Sequence, residues 1–267
     1  MNNILDDIVL SKKKEIEELK KYASLEWYKF FSVDFDRECV SLKQNLLDKN
    51  STGIIAEFKR KSPSKGWFKP EDYSAPATVM GYEQYGAAGA SILTDATFFG
   101  GDLPDISVTR VVSSLPLLRK DFILDEIQIM QAKAYGADVI LLIAAILTPA
   151  RVKELCTEAK KYGMEVLLEL HEENELGHIC DDVDMVGINN RDLRTFAVDI
   201  NRSIELSKKI PSDKIKIAES GINDAETICT FRNAGFKGFL IGENFMKQPD
   251  PTIAFADFVK QLKAKVQ

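Results

Sequence analysis

From Ile54 onward, short apolar runs alternate with amphipathic helical patterns eight times without a break, and few folds accommodate that rhythm. The runs at 54–58, 91–94, 115–119, 139–144, 165–170, 185–189, 214–218 and 238–241 read as buried parallel strands. Helix ends are marked by Tyr85-Gly86, Tyr135-Gly136, Tyr162-Gly163 and Ala234-Gly235, where glycine can take the left-handed conformation that closes a helix. Helix starts are marked by Thr148-Pro149 and Asp250-Pro251, and by Asn223 with Glu226 as a capping-box-like pair. The expected fold is α/β, a (β/α)8 barrel. An open doubly wound sheet would carry a GxGxxG turn after its first strand; here the glycine cluster Gly86-Ala87-Ala88-Gly89 follows a helix instead.

The residues ahead of the first strand carry no strand signal. Residues 3–22 predict an amphipathic helix with Leu5, Ile8, Val9, Ile16 and Leu19 along one stripe, followed by helical pieces at 25–31 and 37–48. The polar turn Asn50-Ser51-Thr52-Gly53 divides the chain into an N-terminal helical extension, 1–50, and a barrel, 51–267, within one compact domain. Lys12, Lys13 and Lys14, set against Glu17, Glu18 and Lys21 at helical spacing, predict a solvated face.

A net charge of −6 without a long basic block gives nucleic acid no electrostatic footprint. The longest apolar run, Val139 to Leu147, falls short of the ~20 residues that a membrane helix needs. Cys39, Cys156, Cys180 and Cys229 are scattered, and the first residues do not read as a secretory leader, so reduced thiols and a cytoplasmic location are expected. His171 and His178 lack HExxH spacing, so no metal is expected; no cofactor is called for either. The chain length predicts a single barrel without a fused second activity. Oligomeric state stays open, with a monomer favoured.

Chemistry concentrates at the ends of the strands. Side chains alternate faces along a strand, so Glu57 and Lys59 share a face with Ile55, Lys120 with Leu118, Glu169 with Leu167, Asn189 with Arg191, and Glu219 with Ile217. One such group is usually half of a structural ion pair. This many at the carboxyl-terminal rim, where barrel enzymes work, point to a site. Phosphate in such barrels binds at the loops after strands 7 and 8. There Ser220-Gly221 and Gly242-Glu243 allow close approach of backbone N–H groups, and Ser62 in the first loop adds a hydroxyl. The Glu243 carboxylate would repel a phosphate, so its N–H is expected to serve while its side chain turns away.

Taken with the motifs IIAEFKRKSPSKG (54–66), SILTDATFFGG (91–101), LPLLRKDFI (115–123), ADVILLIAA (137–145), GINNRDL (187–193), IAESGI (217–222) and GFLIGE (238–243), the chain resembles the indole-3-glycerol phosphate synthase family over nearly its whole length. The resemblance implies decarboxylating ring closure and dehydration of 1-(2-carboxyphenylamino)-1-deoxyribulose 5-phosphate, a small substrate bearing a carboxylate and a phosphate. It implies Lys120 as general acid at the ketone oxygen, Glu169 in the later proton transfers, and Glu57 and Asn189 on the sugar hydroxyls. Lys59 and Arg191 would meet the anthranilate carboxylate, with Glu219 in the same ring of charge. Phe99 and Phe122 would flank the aromatic ring, and Ser62, Ser220, Gly221, Gly242 and Glu243 would cradle the phosphate. Glu243 departs from the serine common in the family. The resemblance also implies that residues 1–48 cover the substrate at the barrel mouth. Rival readings are a Schiff-base aldolase using Lys120, a catalytically silent binding barrel, and the sister phosphoribosylanthranilate isomerase, which would need a Cys/Asp pair at strand ends. Whether Arg119 and Lys59 depress the Lys120 pKa or the carboxylates raise it stays open at this stage.

Overall fold

The computed structural model describes residues 4–191 and 197–266; residues 1–3, 192–196 and 267 of the ranges above lie outside them. Eight parallel strands close a barrel in sequence order: β1 (Ile54–Phe58), β2 (Gly89–Leu93), β3 (Leu117–Lys120), β4 (Val139–Ile143), β5 (Glu165–Leu170), β6 (Met185–Asn189), β7 (Ile215–Glu219) and β8 (Gly238–Ile241). β8 returns to β1 with Ile54 opposite Phe239 and Ile55 opposite Leu240. The expected strands are all present, with shifted ends. β2 begins at Gly89, and β3 begins only at Leu117, after Pro116, which has no N–H to give a ladder. Chain direction and the period of two then set which side chains face in. Ile55, Leu118, Leu141, Leu167, Ile217 and Leu240 fill the barrel, while Ile54, Ala56, Leu117, Leu168 and Ala218 pack outward against the helices.

The helix punctuation behaves as read. Gly86, Gly136, Gly163 and Gly235 all have positive φ. Thr148 and Asp250 accept the N–H groups of Arg151 and Thr252. One cap differs: Asp224, not Asn223, accepts from Thr227 N at 2.8 Å, while the Asn223 amide donates to the Gly221 carbonyl. A carboxylate is the better acceptor at a helix N-terminus because it also meets the dipole.

The segment before β1 visits three places. α1 (Ile4–Leu19) brings Ile4, Leu5 and Ile8 to the barrel mouth. Ile16 and Leu19, with Tyr28 of α2 (Leu25–Phe31), pack on the side against Ile127 and Ala134. α3 (Leu42–Leu47) closes the opposite end: Leu42 and Leu46 join the interior core, and the Asn45 amide donates to the Ala88 carbonyl just before β2. The fit there is tight, since a Cβ at Gly89 would lie 2.7 Å from Leu42. Residues 37–41, predicted helical, are not in α3; Val40 N donates to Asp138 at 2.8 Å, so this stretch is pinned below β4. Only the start of the segment expected to cover the mouth therefore lies there.

Lys12 is not part of a solvated face. It is 3% exposed, on the same stripe as Ile8 and Ile16, and its Nζ lies 2.9 Å from Asp95 and 3.1 Å from Asp121. Burial works against its charge, but Asp121 and Asp95 outweigh it and hold the ammonium protonated above its ordinary range. Asp95 also accepts the N–H groups of Phe98 and Phe99. Asp121 also accepts from Thr94 Oγ1 at 2.6 Å, Arg119 Nη2 at 3.0 Å and its neighbour's N–H. Counting charges along one helix could not reveal partners supplied by two other loops. Lys13 and Lys14 are exposed, as expected.

Candidate active site

Because every strand runs the same way, the last inward positions of all eight converge on one end of the barrel. A cavity of about 330 Å³ opens there. Glu57, Lys59, Ser62, Phe99, Lys120, Phe122, Glu169, Asn189, Arg191, Glu219, Ser220, Gly221, Gly242 and Glu243 all line it, so the structure brings together every candidate residue named from the sequence.

At the floor, Lys120 Nζ donates to Glu219 Oε2 at 2.7 Å and lies 3.4 Å from Glu169 Oε2. Burial alone would lower the Lys120 pKa, but Glu219, then Glu169 and Glu57, outweigh it and keep the ammonium protonated above its usual range. The question left open by the sequence is answered by direction. Arg119 points outward to Asp121 and the Gln128 carbonyl and is no neighbour in the cavity, while Lys59 pairs with Glu57 at 2.8 Å.

The carboxylates beside Lys120 diverge. Glu169 gains from Lys120, His171 and the Asn189 amide at 3.0 Å, which overcome burial and hold it well below the usual range. Glu219 is 1% exposed; burial and repulsion from Glu169 and Glu57 raise it to about 7 despite Lys120, and its Oε1 has no hydrogen-bond partner. Two neighbouring acids with pKa values pushed apart are the means by which one site holds both a base and a proton donor.

Glycines make the room for these side chains. A Cβ on Gly187 of β6 would come 2.1 Å from Glu219 Oε1, and one on Gly242 would come 2.3 Å from Glu57 Oε1.

Phe99 and Phe122 face each other across the apolar wall, ring centroids 6.0 Å apart and tilted by 37°. The polar end holds Gly221, and Ser220 with φ of 68°, the sole positive-φ residue other than glycine among those described. A non-glycine residue kept there costs about 1–3 kcal/mol and tends to mark functional loops. Ser62 Oγ is buried without a partner, and Gly242 starts the short helix Glu243–Met246 with no side chain capping it. The Glu243 carboxylate turns to Arg191 Nη2 at 3.4 Å and to Lys65 at 3.9 Å. Among the described residues no group of three or more His, Cys, Asp or Glu is placed to hold a metal ion.

His171 was missed by the sequence reading, which considered it only as a metal ligand. It lines the cavity and sits 3.1 Å from Glu169. The period-two rule that pairs Lys59 with Glu57 would have found it.

A closed parallel barrel with an acid–base cluster and cationic groups at the carboxyl ends of its strands defines a (β/α)8-barrel enzyme. The sequence profile of the indole-3-glycerol phosphate synthase family matches residues 5–258, and the chain belongs to that family. Indole-3-glycerol phosphate synthase of Bacteroides thetaiotaomicron is 45% identical over 98% of this chain and 100% of its own. The proteins of that name from Caldanaerobacter subterraneus subsp. tengcongensis (41%; 97% of this chain, 99% of its own) and Rhodopirellula baltica (40%; 94% and 96%) are similar at like coverage. Among solved structures, tryptophan synthase subunit alpha of Legionella pneumophila superposes with a TM-score of 0.63 at 12% identity, over 84% of this chain and 96% of that one. The tryptophan synthase a2b2 complex of Pyrococcus furiosus gives 0.60 at 16%, over 79% and 98%. At these identities the likeness is one of fold.

Proposed function

We propose that this barrel catalyses the ring closure for which its family is named: 1-(2-carboxyphenylamino)-1-deoxyribulose 5-phosphate gives indole-3-glycerol phosphate, CO2 and water. The observation that carries the reading is the ammonium of Lys120, fixed between a carboxylate held ionised, Glu169, and one poised near neutrality, Glu219, on the floor of a cavity with an aromatic wall.

The ring carbon bearing the carboxylate attacks the ketone carbon, and the electron pair of the C=O bond moves to oxygen, which takes a proton from Lys120. A strongly protonated ammonium suits this step, because the developing alkoxide is more basic still. Loss of CO2 returns its electron pair to the ring. The new hydroxyl then leaves as water with a proton supplied by the Lys120–Glu219 pair, and Glu169 takes the proton lost as the indole forms. Glu57 and Asn189 hold the sugar hydroxyls. Lys59 and Arg191 meet the substrate carboxylate, and Phe99 and Phe122 hold its ring.

Ser62, Ser220, Gly221, Gly242 and the N–H of Glu243 receive the phosphate. The partnerless hydroxyl of Ser62 supports this role, and the pairing of Glu243 with Arg191 and Lys65 lowers its repulsion of the anion. Ile4, Leu5 and Ile8 of α1 roof the bound substrate. A cytoplasmic monomer is part of the same proposal, the compartment being supported by four free cysteines. No helix among the described residues is long and apolar enough to cross a membrane.

The test is fluorescence of indole-glycerol phosphate formed by the purified chain from its anilino-ribulose phosphate. No product would sink the reading. A covalent adduct trapped by borohydride would favour the aldolase alternative instead.

A further inference from the structure

Resting on the reading of Glu169 as the base, we propose that His171 is a positioning residue that aims the Glu169 carboxylate into the cavity. Its backbone follows the end of β5 by one residue, so the ring projects to the same side as Glu169. The ring is 6% exposed, with Nε2 3.1 Å from Glu169 Oε1. Neither nitrogen completes a well-aligned hydrogen bond, so the contact is one of close charge that a small ring rotation converts into an N–H···O bond.

The division of labour at Glu169 gives this contact its meaning. Oε1 accepts the Asn189 amide at 3.0 Å and lies 3.1 Å from His171 Nε2. Oε2 is the oxygen left toward Lys120, at a loose 3.4 Å. The Asn189 donor and the close His171 ring, both against one oxygen, fix the plane of the carboxylate and leave the other oxygen toward Lys120 to accept a proton.

The groups facing His171 come from several elements. Glu169 lies on its own strand. Glu175, in the following 3-10 turn, has Oε2 4.0 Å from Nδ1 and already accepts the N–H groups of His171 and Glu172. Glu219 on β7 adds to the negative field, and Lys120 opposes it from beyond Glu169. Burial disfavours the imidazolium, yet Glu169, Glu175 and Glu219 outweigh it and raise the His171 pKa. Carboxylates on both sides of the ring thus favour its charged form. None of the roles assigned to the family's residues uses this side chain.

Two variants test the proposal. His171→Leu removes the donor, and His171→Gln restores a neutral N–H near the place of Nε2. His171→Leu should lower kcat by ~10–10²-fold, the scale of a misplaced catalytic group, with KM and the unfolding midpoint little changed. The acid limb of its pH–rate profile should move to higher pH as Glu169 loses a donor and a cation. His171→Gln should recover most of kcat and part of the shift. Titrating 13Cδ-labelled glutamates in the substrate-free protein, with Glu169→Gln as the assignment control, reads the same contact without turnover. The Glu169 signal should titrate at higher pH in His171→Leu than in the parent. An unmoved Glu169 titration overturns the proposal whatever the activity, and so does a kcat loss that His171→Gln fails to restore. If the parent makes no indole-glycerol phosphate, the proposed reaction fails, and the glutamate titration still decides whether His171 holds Glu169. Should His171→Leu not fold, His171→Gln carries the comparison: a Glu169 titration identical to the parent's and an unchanged pH profile would show that the imidazolium does nothing.

Discussion

Lys120 and Asp121 are neighbours in sequence at the end of β3, and each anchors a buried cluster of charge on opposite sides of the barrel wall. Behind the wall, Asp95 and Asp121 meet Lys12 and Arg119, two buried acids against two buried bases, with the half-exposed Glu15 also 2.7 Å from Lys12 and with Thr94 and backbone N–H groups taking up further lone pairs. Inside the mouth, three carboxylates, Glu57, Glu169 and Glu219, crowd around Lys120, with Lys59 paired to Glu57 and the His171 ring set against Glu169. The outer cluster is balanced: burial alone would raise the Asp121 pKa, but Arg119 and Lys12 outweigh it and hold it down at about 2. The inner one is in deficit, and the shortfall appears as an unpartnered Glu219 oxygen and a pKa of about 7. Similar residues, similarly buried, hold a structure together when their charges cancel and can move protons when they do not.

The largest expected effect is on the inner side. Lys120→Met should lower kcat by at least ~10²–10⁴-fold while a substrate analogue still binds. The fold should persist, because Glu219 and Glu169 can take up protons once the ammonium is gone. No alkaline loss of activity should trace to Lys120 in the parent, since its carboxylates keep it charged above its ordinary range. A Lys120→Met enzyme with near-parental kcat would remove it from the chemistry.

On the outer side the loss should be of stability. Lys12→Met strands two buried carboxylates and should cost about 3–5 kcal/mol in urea unfolding, with kcat of the folded protein close to the parent's. Adding Asp95→Asn should recover part of the loss, because asparagine still caps the Phe98 and Phe99 N–H groups. A collapse of kcat with unchanged stability would break the distinction between the two clusters.

Acid should separate them next. The folded protein keeps the Glu219 proton up to about pH 7, whereas the unfolded chain releases it near 4.5. The fold holds the extra proton in that window, so its stability should fall as pH rises through it, and Glu219→Gln should flatten the fall. Asp121 does the reverse: its contribution is present above 3.8 and should vanish as pH drops toward 2, with or without Glu219→Gln. Urea midpoints across pH 2–8 would show both limbs; a parent curve flat from pH 5 to 8 would refute the inner one.

The smallest effect belongs to the rim. Glu243→Gln removes a partly exposed carboxylate near the proposed phosphate cradle, so KM should drop by only a few-fold, less so at high salt. A rise in KM would mean that Glu243 serves mainly to hold Arg191.

Most of the mouth was legible because it follows from two local rules. A period of two assigns Glu57, Lys59, Lys120, Glu169, Asn189 and Glu219 to the inward face, and parallel strands bring those positions to one end. His171 obeys the same rule, one residue past the end of β5, though its HExxH-free spacing excludes it only as a metal ligand. Lys12 was misread for a deeper reason. Its partners Asp95 and Asp121 lie on other loops, and no helical periodicity encodes them. The opposite closure of the barrel was equally hidden. Leu42 and Leu46 look like any amphipathic turn until Gly89 and Gly238 present bare backbone against them.

Lys12 also sets an order of events during synthesis. α1 leaves the ribosome before any part of the barrel, carrying an apolar stripe and a lysine whose resting place does not yet exist. At roughly 5–20 residues per second, several seconds or more pass before Asp95 and Asp121 have been made. Barrel closure waits longer, for β8 to reach β1. During that interval α1 is an amphipathic helix without a partner, the kind of segment a chaperone would hold. Its docking is therefore expected among the late steps of maturation, though it is made before every strand of the barrel.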